Sequence, residues 1–348
     1  MVLVGHFVGH FSSIGDWPGY AYNLGPMAVS WFFVLSGFII AYNYPSLSND
    51  IERKSFLISR VARLWPVHIV TTIAMILLFG GGKYYPFFLT MTHTWTADPE
   101  MAGAYNGPSW SISDEMFFYV AYVGLVAPAR WLRVLVVVAP IALALVMAEH
   151  HGCFLPNGDP ASTASTPKCG ALIATFPPAR LVDFLAGVAL FHLRLRIPQV
   201  IGLAAAICVL GSYLPGVPGI DSNSLPAHVI WEVEVIIGGG ALIASLSSEG
   251  WLSRLLSFRL LVIGGEISYS MYMTHQVVNL AVLPHVKGLN LVATFLLVST
   301  ITLVLSVCLF YFLEAPVRDA VKAKLRQWKS RMKAHEQGMR VEVRPANV

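Results

Sequence analysis

What this sequence has little of is charge. Only 12% of its 348 residues are charged, while 56% are hydrophobic; a soluble globular chain carries about 25% charged residues. With a mean hydropathy of +0.64, the composition argues against a soluble domain and for an all-α, polytopic integral membrane protein. The net charge of +4 is no argument for a nucleic-acid partner, because the basic residues sit between and after apolar segments. No basic stretch precedes the apolar first residues, so the start does not read as a signal peptide. Cysteine is also scarce, with four in the chain. Cys208 and Cys308 lie in apolar runs and read as packing residues. Cys153 and Cys169 flank a polar Pro/Ser/Thr loop, a natural place for a disulfide if that loop faces an oxidising compartment. There is no low-complexity tract, no second soluble domain, and no internal repeat with broken helices of the kind secondary transporters show.

What is present is a series of apolar segments of spanning length separated by turn-rich breaks. They are predicted at roughly 1–11, 27–44, 64–81, 109–128, 131–149, 178–194, 197–214, 226–247, 260–283 and 289–313. The first is too short to cross a bilayer and reads as the outer half of a truncated helix. Tyr84–Trp95 is short and aromatic, which suggests a re-entrant or interfacial segment. If the loop 45–63 is cytoplasmic and the sides alternate from there, the outside holds only Lys83, Lys168, Arg180 and Lys287 of the 23 Lys and Arg. A wrong helix count would scramble that partition, so the positive-inside rule favours about ten transmembrane helices with both ends cytoplasmic. The Cys153/Cys169 loop then falls outside. Residues 1–315 form the transmembrane domain in this reading, and 316–348 a basic tail helix lying against the inner leaflet.

Two adjacent carboxylates stand at the start of the apolar run from 109 to 128, where charge is expensive and marks function by default. On a helix Ser111, Glu115 and Phe118 share a face with Tyr119 beside it, which aims Glu115 inward. Asp114 points elsewhere and reads as an interfacial residue, its charge suiting the helix start. His6 and His10 share a face near the end of the first segment. No acidic residue lies between them, so a metal pair is weakly signalled. Phe32 to Phe38 contains Ser36, a lone hydroxyl, and Gly37, which permits close backbone approach; plain helix packing explains them equally well. Arg60 and Arg63, three apart, form a cationic patch fit to clamp phosphates or to anchor the helix on the positive side. Arg180 and Asp183 are spaced to pair. Glu232 and Glu234, ahead of a Gly triplet, read as interfacial. Ser268, Tyr272 and His275 fall on one helix face, and Glu314 and Arg318 are spaced to pair at i, i+4.

Together these motifs resemble the membrane acyltransferase-3 family, in order and over nearly the whole chain. The resemblance lies in Gly5-His6-Phe7, Phe32 to Phe38, Arg60-x-x-Arg63-x-x-Pro66, and Trp110-Ser111 with Glu115 and Phe118-Tyr119. It continues in Arg180-x-x-Asp183-Phe184, Ser268-Tyr269-Ser270 leading to His275, and Glu314-x-Pro316-x-Arg318. Such proteins move an acyl group, usually acetyl from cytosolic acetyl-CoA, onto a hydroxyl of an extracytoplasmic sugar. The resemblance implies that His6 is catalytic, with His10 the lesser alternative. It also implies a basic residue upstream, which would precede Met1, and Asp183 stands where the family more often has Glu.

These roles suit the chemistry. A hydroxyl attacking a thioester must lose its proton, and a histidine with an ordinary pKa of about 6.5 is matched to that task. His6 is therefore expected as general base with Glu115 as its orienting or charge-balancing partner; an acyl-histidine intermediate is equally open. Arg60 and Arg63 would hold the CoA phosphates, and Ser36, Tyr272 and His275 would line the pantetheine passage. Trp110, Arg180 and Asp183 would face the acceptor, whose choice falls to loops near 12–26, 82–108 and 150–177. Gly37, Glu314, Arg318, Cys153 and Cys169 are structural expectations. The expected partners are acyl-CoA as co-substrate, a carbohydrate or glycolipid acceptor and the lipid bilayer of an inner membrane. Neither a metal, a bound cofactor nor nucleic acid is expected. The competing readings are a proton-coupled secondary transporter, with Glu115, Asp183 and His275 as relay, and a non-catalytic subunit of a polysaccharide assembly system.

Overall fold

The computed structural model describes residues 20–150, 153, 169, 172, 174–212, 225–286 and 288–342. Helices occupy every predicted apolar segment from 27–44 onward. The segment 1–11, with His6 and His10, lies outside the described residues. In chain order the helices are α1 Tyr20–Asn43, α2 Asp50–Phe79, the short α3 Tyr85–Leu89 and α4 Pro99–Ala102, and α5 Trp110–Leu125. There follow α6 Arg130–His150, α7 Pro177–Leu193, α8 Gln199–Gly211, α9 Leu225–Leu246, α10 Trp251–Leu256 and α11 Arg259–Val282. The series closes with α12 Leu291–Leu309 and α13 Ala315–Glu342. Among the described residues there is no strand. Leu24–Asn43, Asp50–Phe79, Arg130–His150 and the continuous Leu291–Met332 are each long and apolar enough to cross a membrane, so the chain is a membrane protein whose described residues build an all-helical fold.

α2 starts well before the segment predicted at 64–81. Asn49 caps it, its side chain accepting from the Glu52 amide, and Asp50 and Glu52 occupy the first turn, where acidic groups complement the helix dipole. The polar residues 50–60 dilute hydropathy without breaking the helix. Ser55 and Phe56 are already buried within this stretch, and Ser55 shares a helical face with the buried Ala62 seven residues on.

The core is organised by α1, α5 and α7. Phe33 of α1 meets Phe118 of α5 edge-on at 5.0 Å between centroids, and Phe118 stacks on Phe184 of α7 at 5.3 Å. α1 and α7 approach to backbone contact. A Cβ on Gly37 would sit 2.0 Å from the Phe184 carbonyl oxygen, and one on Gly187 would sit 1.9 Å from that of Val34. In a membrane, where lipid tails are as apolar as Leu, such glycine crossings are a main source of helix association. Gly37→Val should therefore exceed the usual overpacking cost of about 1–3 kcal/mol, since the obstacle is main chain that cannot rotate away. Fluorescence-detected size exclusion in detergent should show its monodisperse peak lost. Gly264→Ala, with nothing within 4 Å of the added Cβ, should keep it; an intact Gly37→Val protein would show that the crossing can slide apart.

Three expectations are corrected. Glu314 and Arg318 do not pair. The chain passes from α12 to α13 through a π turn at Phe310–Glu314, and both side chains are taken by other partners. Glu314 instead points inward and accepts from Ser270 Oγ at 2.6 Å. Arg318 Nε donates to Asp319 Oδ1 at 3.1 Å, with its guanidinium over the Phe310 ring. Cys208 and Cys308 are exposed rather than packed; they lie on the outward faces of apolar helices. The third concerns Glu232 and Asp114, described with the site. Cys153 and Cys169 form a disulfide.

Candidate active site

The 3₁₀ turn Gly107–Ser109 carries Pro108, which fixes the entry angle into α5. From there Ser111, Asp114 and Glu115 are all buried within the first two turns. Glu115 is 4% exposed. Its Oε1 accepts from Ser36 Oγ of α1 at 3.1 Å and from the Tyr119 hydroxyl one turn along. Its second oxygen, Oε2, has no hydrogen-bond partner among the described residues. A buried carboxyl held by two hydroxyls on one oxygen, with the other left over, is built to receive one more donor.

Glu115 forms part of the wall of a cavity of about 230 Å³. α1 contributes Ala28, Val29 and Phe32, and α2 contributes Arg63 and Leu64. α5 adds Ser111 and Ile112 beside Glu115, and α11 adds Ser268, Tyr269 and Tyr272. The lining is apolar apart from a few convergent groups, the usual composition of a small-molecule site. Tyr272 shares a 2.8 Å hydrogen bond with Ser111 Oγ and donates to the Pro108 carbonyl at 2.7 Å, which fixes its ring on the wall. The Tyr269 hydroxyl donates to the Leu64 carbonyl and ties α11 to α2.

The other predicted residues are distributed around this cavity. The two arginines part company: Arg63 lines it, whereas Arg60 Nη2 donates to the Tyr44 hydroxyl at 3.2 Å and its guanidinium lies over the rings of Tyr44, Phe56 and Tyr119. Arg60 thus backs the tyrosine that holds Glu115. Ser36 reaches Glu115 and is not on the lining, and His275 Nδ1 meets the Tyr272 carbonyl. Trp110 packs edge-on to Phe33 at 6.0 Å.

On the far side of Phe33 stands Arg180, its guanidinium 5.6 Å from the ring centroid. It pairs with Asp183 at 2.8 Å, with Glu232 of α9, and donates to Ser30 Oγ at 2.6 Å. Glu232 is buried, which corrects its reading as an interfacial residue. Its partner Arg180 is 52 residues away in the chain, and no local signal marked it. Asp114 is likewise not interfacial. It is fully buried, and its Oδ1 accepts from Thr94 Oγ1 at 2.8 Å. Thr94 went unremarked in the sequence because nothing local marks it.

A family model described as an acyltransferase domain matches residues 1–313. The chain belongs to the acyltransferase-3 family. Acyltransferase MdmB of Streptomyces mycarofaciens is 28% identical over 275 residues, covering 73% of this chain and 68% of that protein. Exopolysaccharide production protein ExoZ of Rhizobium meliloti (strain 1021) is 28% identical over 277 residues, 74% of this chain and 77% of its own length. No solved structure matches the chain. The protein is thus a membrane acyltransferase for groups other than amino-acyl ones, and an acyl donor is its co-substrate. Among the described residues no group of three or more His, Cys, Asp or Glu is placed to hold a metal ion.

Proposed function

We propose that this acyltransferase moves an acyl group, acetyl in the first instance, from cytosolic acyl-CoA to a hydroxyl of an extracytoplasmic carbohydrate. The acceptor class comprises lipopolysaccharide, exopolysaccharide, peptidoglycan and glycosylated metabolites, and the similarity to an exopolysaccharide production protein favours the second. One observation carries the reading: Glu115, with a carboxyl oxygen unpartnered among the described residues, shares a cavity wall with Arg63. A narrow, mostly apolar space with a cation and a carboxylate suits a thioester arm entering past a phosphate-binding group.

In this reading the acceptor oxygen attacks the thioester carbonyl, the C–S bond breaks, and the hydroxyl proton passes to His6 and then to the departing thiolate. Glu115 orients His6 and balances its charge while the proton is held. Arg60 and Arg63 serve the donor phosphates, Ser36, Tyr272 and His275 the donor arm, and Trp110, Arg180 and Asp183 the acceptor side. The proposed topology is ten transmembrane helices in an inner membrane with both ends cytoplasmic, residues 1–315 as catalytic domain and 316–348 as a basic cytoplasmic tail. The charge partition across the loops supports it.

Mass spectrometry of envelope polysaccharide from cells expressing the chain tests the reading. An acyl mass increment is expected on the glycan, lost in His6→Ala. An increment that survives His6→Ala moves the base to His10 or His275. No increment from the wild-type chain counts against an envelope glycan as acceptor.

A further inference from the structure

Asp114 and Glu115 are adjacent on α5 and serve opposite sides of it. Glu115 faces the cavity, whereas Asp114 faces the segment that leads into α5. Its Oδ1 takes the Thr94 hydroxyl at 2.8 Å, and that hydroxyl also lies 2.7 Å from Ser113 Oγ. The Thr94 amide donates to Ser113 Oγ at 3.2 Å, and Trp95 Nε1 donates to the Ser113 carbonyl at 3.2 Å. Thr94 is therefore clamped on the helix that its own segment enters sixteen residues later, at Trp110.

The clamp reaches the cavity through a continuous set of contacts. His93, beside Thr94, is fully buried, stacks on Phe88 at 3.9 Å, and its Nε2 lies 3.3 Å from Ser109 Oγ. Ser109 adjoins Pro108, whose carbonyl accepts from both Tyr272 and Ser111, two groups on the cavity wall. Asn106 Nδ2 fastens the same segment to the Met273 carbonyl of α11 at 2.9 Å. One strap, 93–109, thus joins α5 to α11 over one edge of the cavity, and the fully buried Asp114 pins its start.

We propose that Asp114 is a positioning residue: through Thr94 it seats the strap 93–109, which backs the Ser111–Tyr272 wall of the cavity on the acceptor side. The inference rests on the acyl-transfer reading. It assigns the strap to the hydroxyl acceptor and leaves the donor to Arg63 and the far end. A carboxyl bonded to a buried hydroxyl is among the stronger side-chain contacts, and its loss leaves the Thr94 hydroxyl held by Ser113 Oγ alone, a weaker neutral bond. A loosened strap lets water reach the acyl carbon in place of the acceptor.

The test is coupling, measured in membrane vesicles from expressing cells, which carry the host glycans. With radiolabelled acetyl-CoA as probe, label incorporated into glycan is divided by thiol released. For Asp114→Ala and Thr94→Val this ratio should fall about tenfold, with thiol release continuing and the KM for acetyl-CoA within about twofold of wild type. Asp114→Asn keeps an acceptor for the Thr94 hydroxyl and should restore the ratio. A simple loss of folded protein lowers both quantities in proportion and leaves the ratio alone, so an unchanged ratio in both variants overturns the assignment. A shifted KM for acetyl-CoA overturns it as well, by placing the strap at the donor. A wild-type protein that releases no thiol refutes the acyl-CoA reading itself, and this assignment with it.

Discussion

Glu115→Gln should lower acyl transfer by about 10²–10⁴-fold, the range a positioned acid–base partner supplies, while the protein remains folded. The amide keeps the shape of the side chain, and its carbonyl oxygen can still accept from Ser36 and Tyr119. What it loses is the negative charge that would offset a protonated histidine and the freedom to accept at Oε2, the oxygen with no partner among the described residues. Ser36→Ala and Tyr119→Phe each remove one hydrogen bond from the same oxygen and should cost about tenfold apiece. Because both act through Glu115, the two changes should not add, and either one on top of Glu115→Gln should cost little more. Thiol release from acetyl-CoA by the purified protein, normalised to the size-exclusion peak, reads all of these. Glu115→Gln within a few-fold of wild type would remove this residue from the proposed chemistry and leave it a packing role between α1 and α5.

The parts of the fold that were legible in the sequence are those that hydropathy and helical spacing alone decide. Apolar runs gave α1, α2, α5 to α9, α11 and α12 but not the short α4 and α10, and the three-to-four spacing put Ser111 and Glu115 together and brought Arg180 to Asp183. What escaped depends on partners distant in the chain. The start of α2 was missed because its first turns are polar outside and apolar within, a pattern a hydropathy window averages away. Asp114 could not be told from an interfacial carboxylate until Thr94, twenty residues earlier, was brought against it. Glu232 lies 52 residues from Arg180, and nothing in the local sequence links them. The Glu314–Arg318 expectation failed because each side chain has another partner, Ser270 for Glu314 and Asp319 for Arg318, and spacing alone does not rank competing partners. The cavity is a property of four helices together, and no one of their sequences encodes it.

The largest stability effect is expected at Arg180. Arg180→Leu leaves Asp183 and Glu232 facing each other in a buried site without their cation, and breaking such a network by removing one partner costs about 3–5 kcal/mol. Arg180→Lys should recover only part of this. A single ammonium cannot reproduce the planar fork that meets Asp183, Glu232 and Ser30 at once while its face rests on Phe33. The informative variant neutralises everything together: Arg180→Leu with Asp183→Asn and Glu232→Gln. If the cost of the single change is mainly uncompensated buried charge, the triple variant should regain most of the lost melting temperature in detergent, because no ion then remains to be desolvated. If it stays as unstable as Arg180→Leu alone, the guanidinium is holding α1, α7 and α9 together by shape and hydrogen bonding rather than by charge. The same preparations separate stability from function. A triple variant that melts like the wild type yet transfers no acyl group would place Arg180 and Asp183 on the acceptor side by a route independent of folding. One that melts and transfers normally would confine the network to the architecture of the helix bundle.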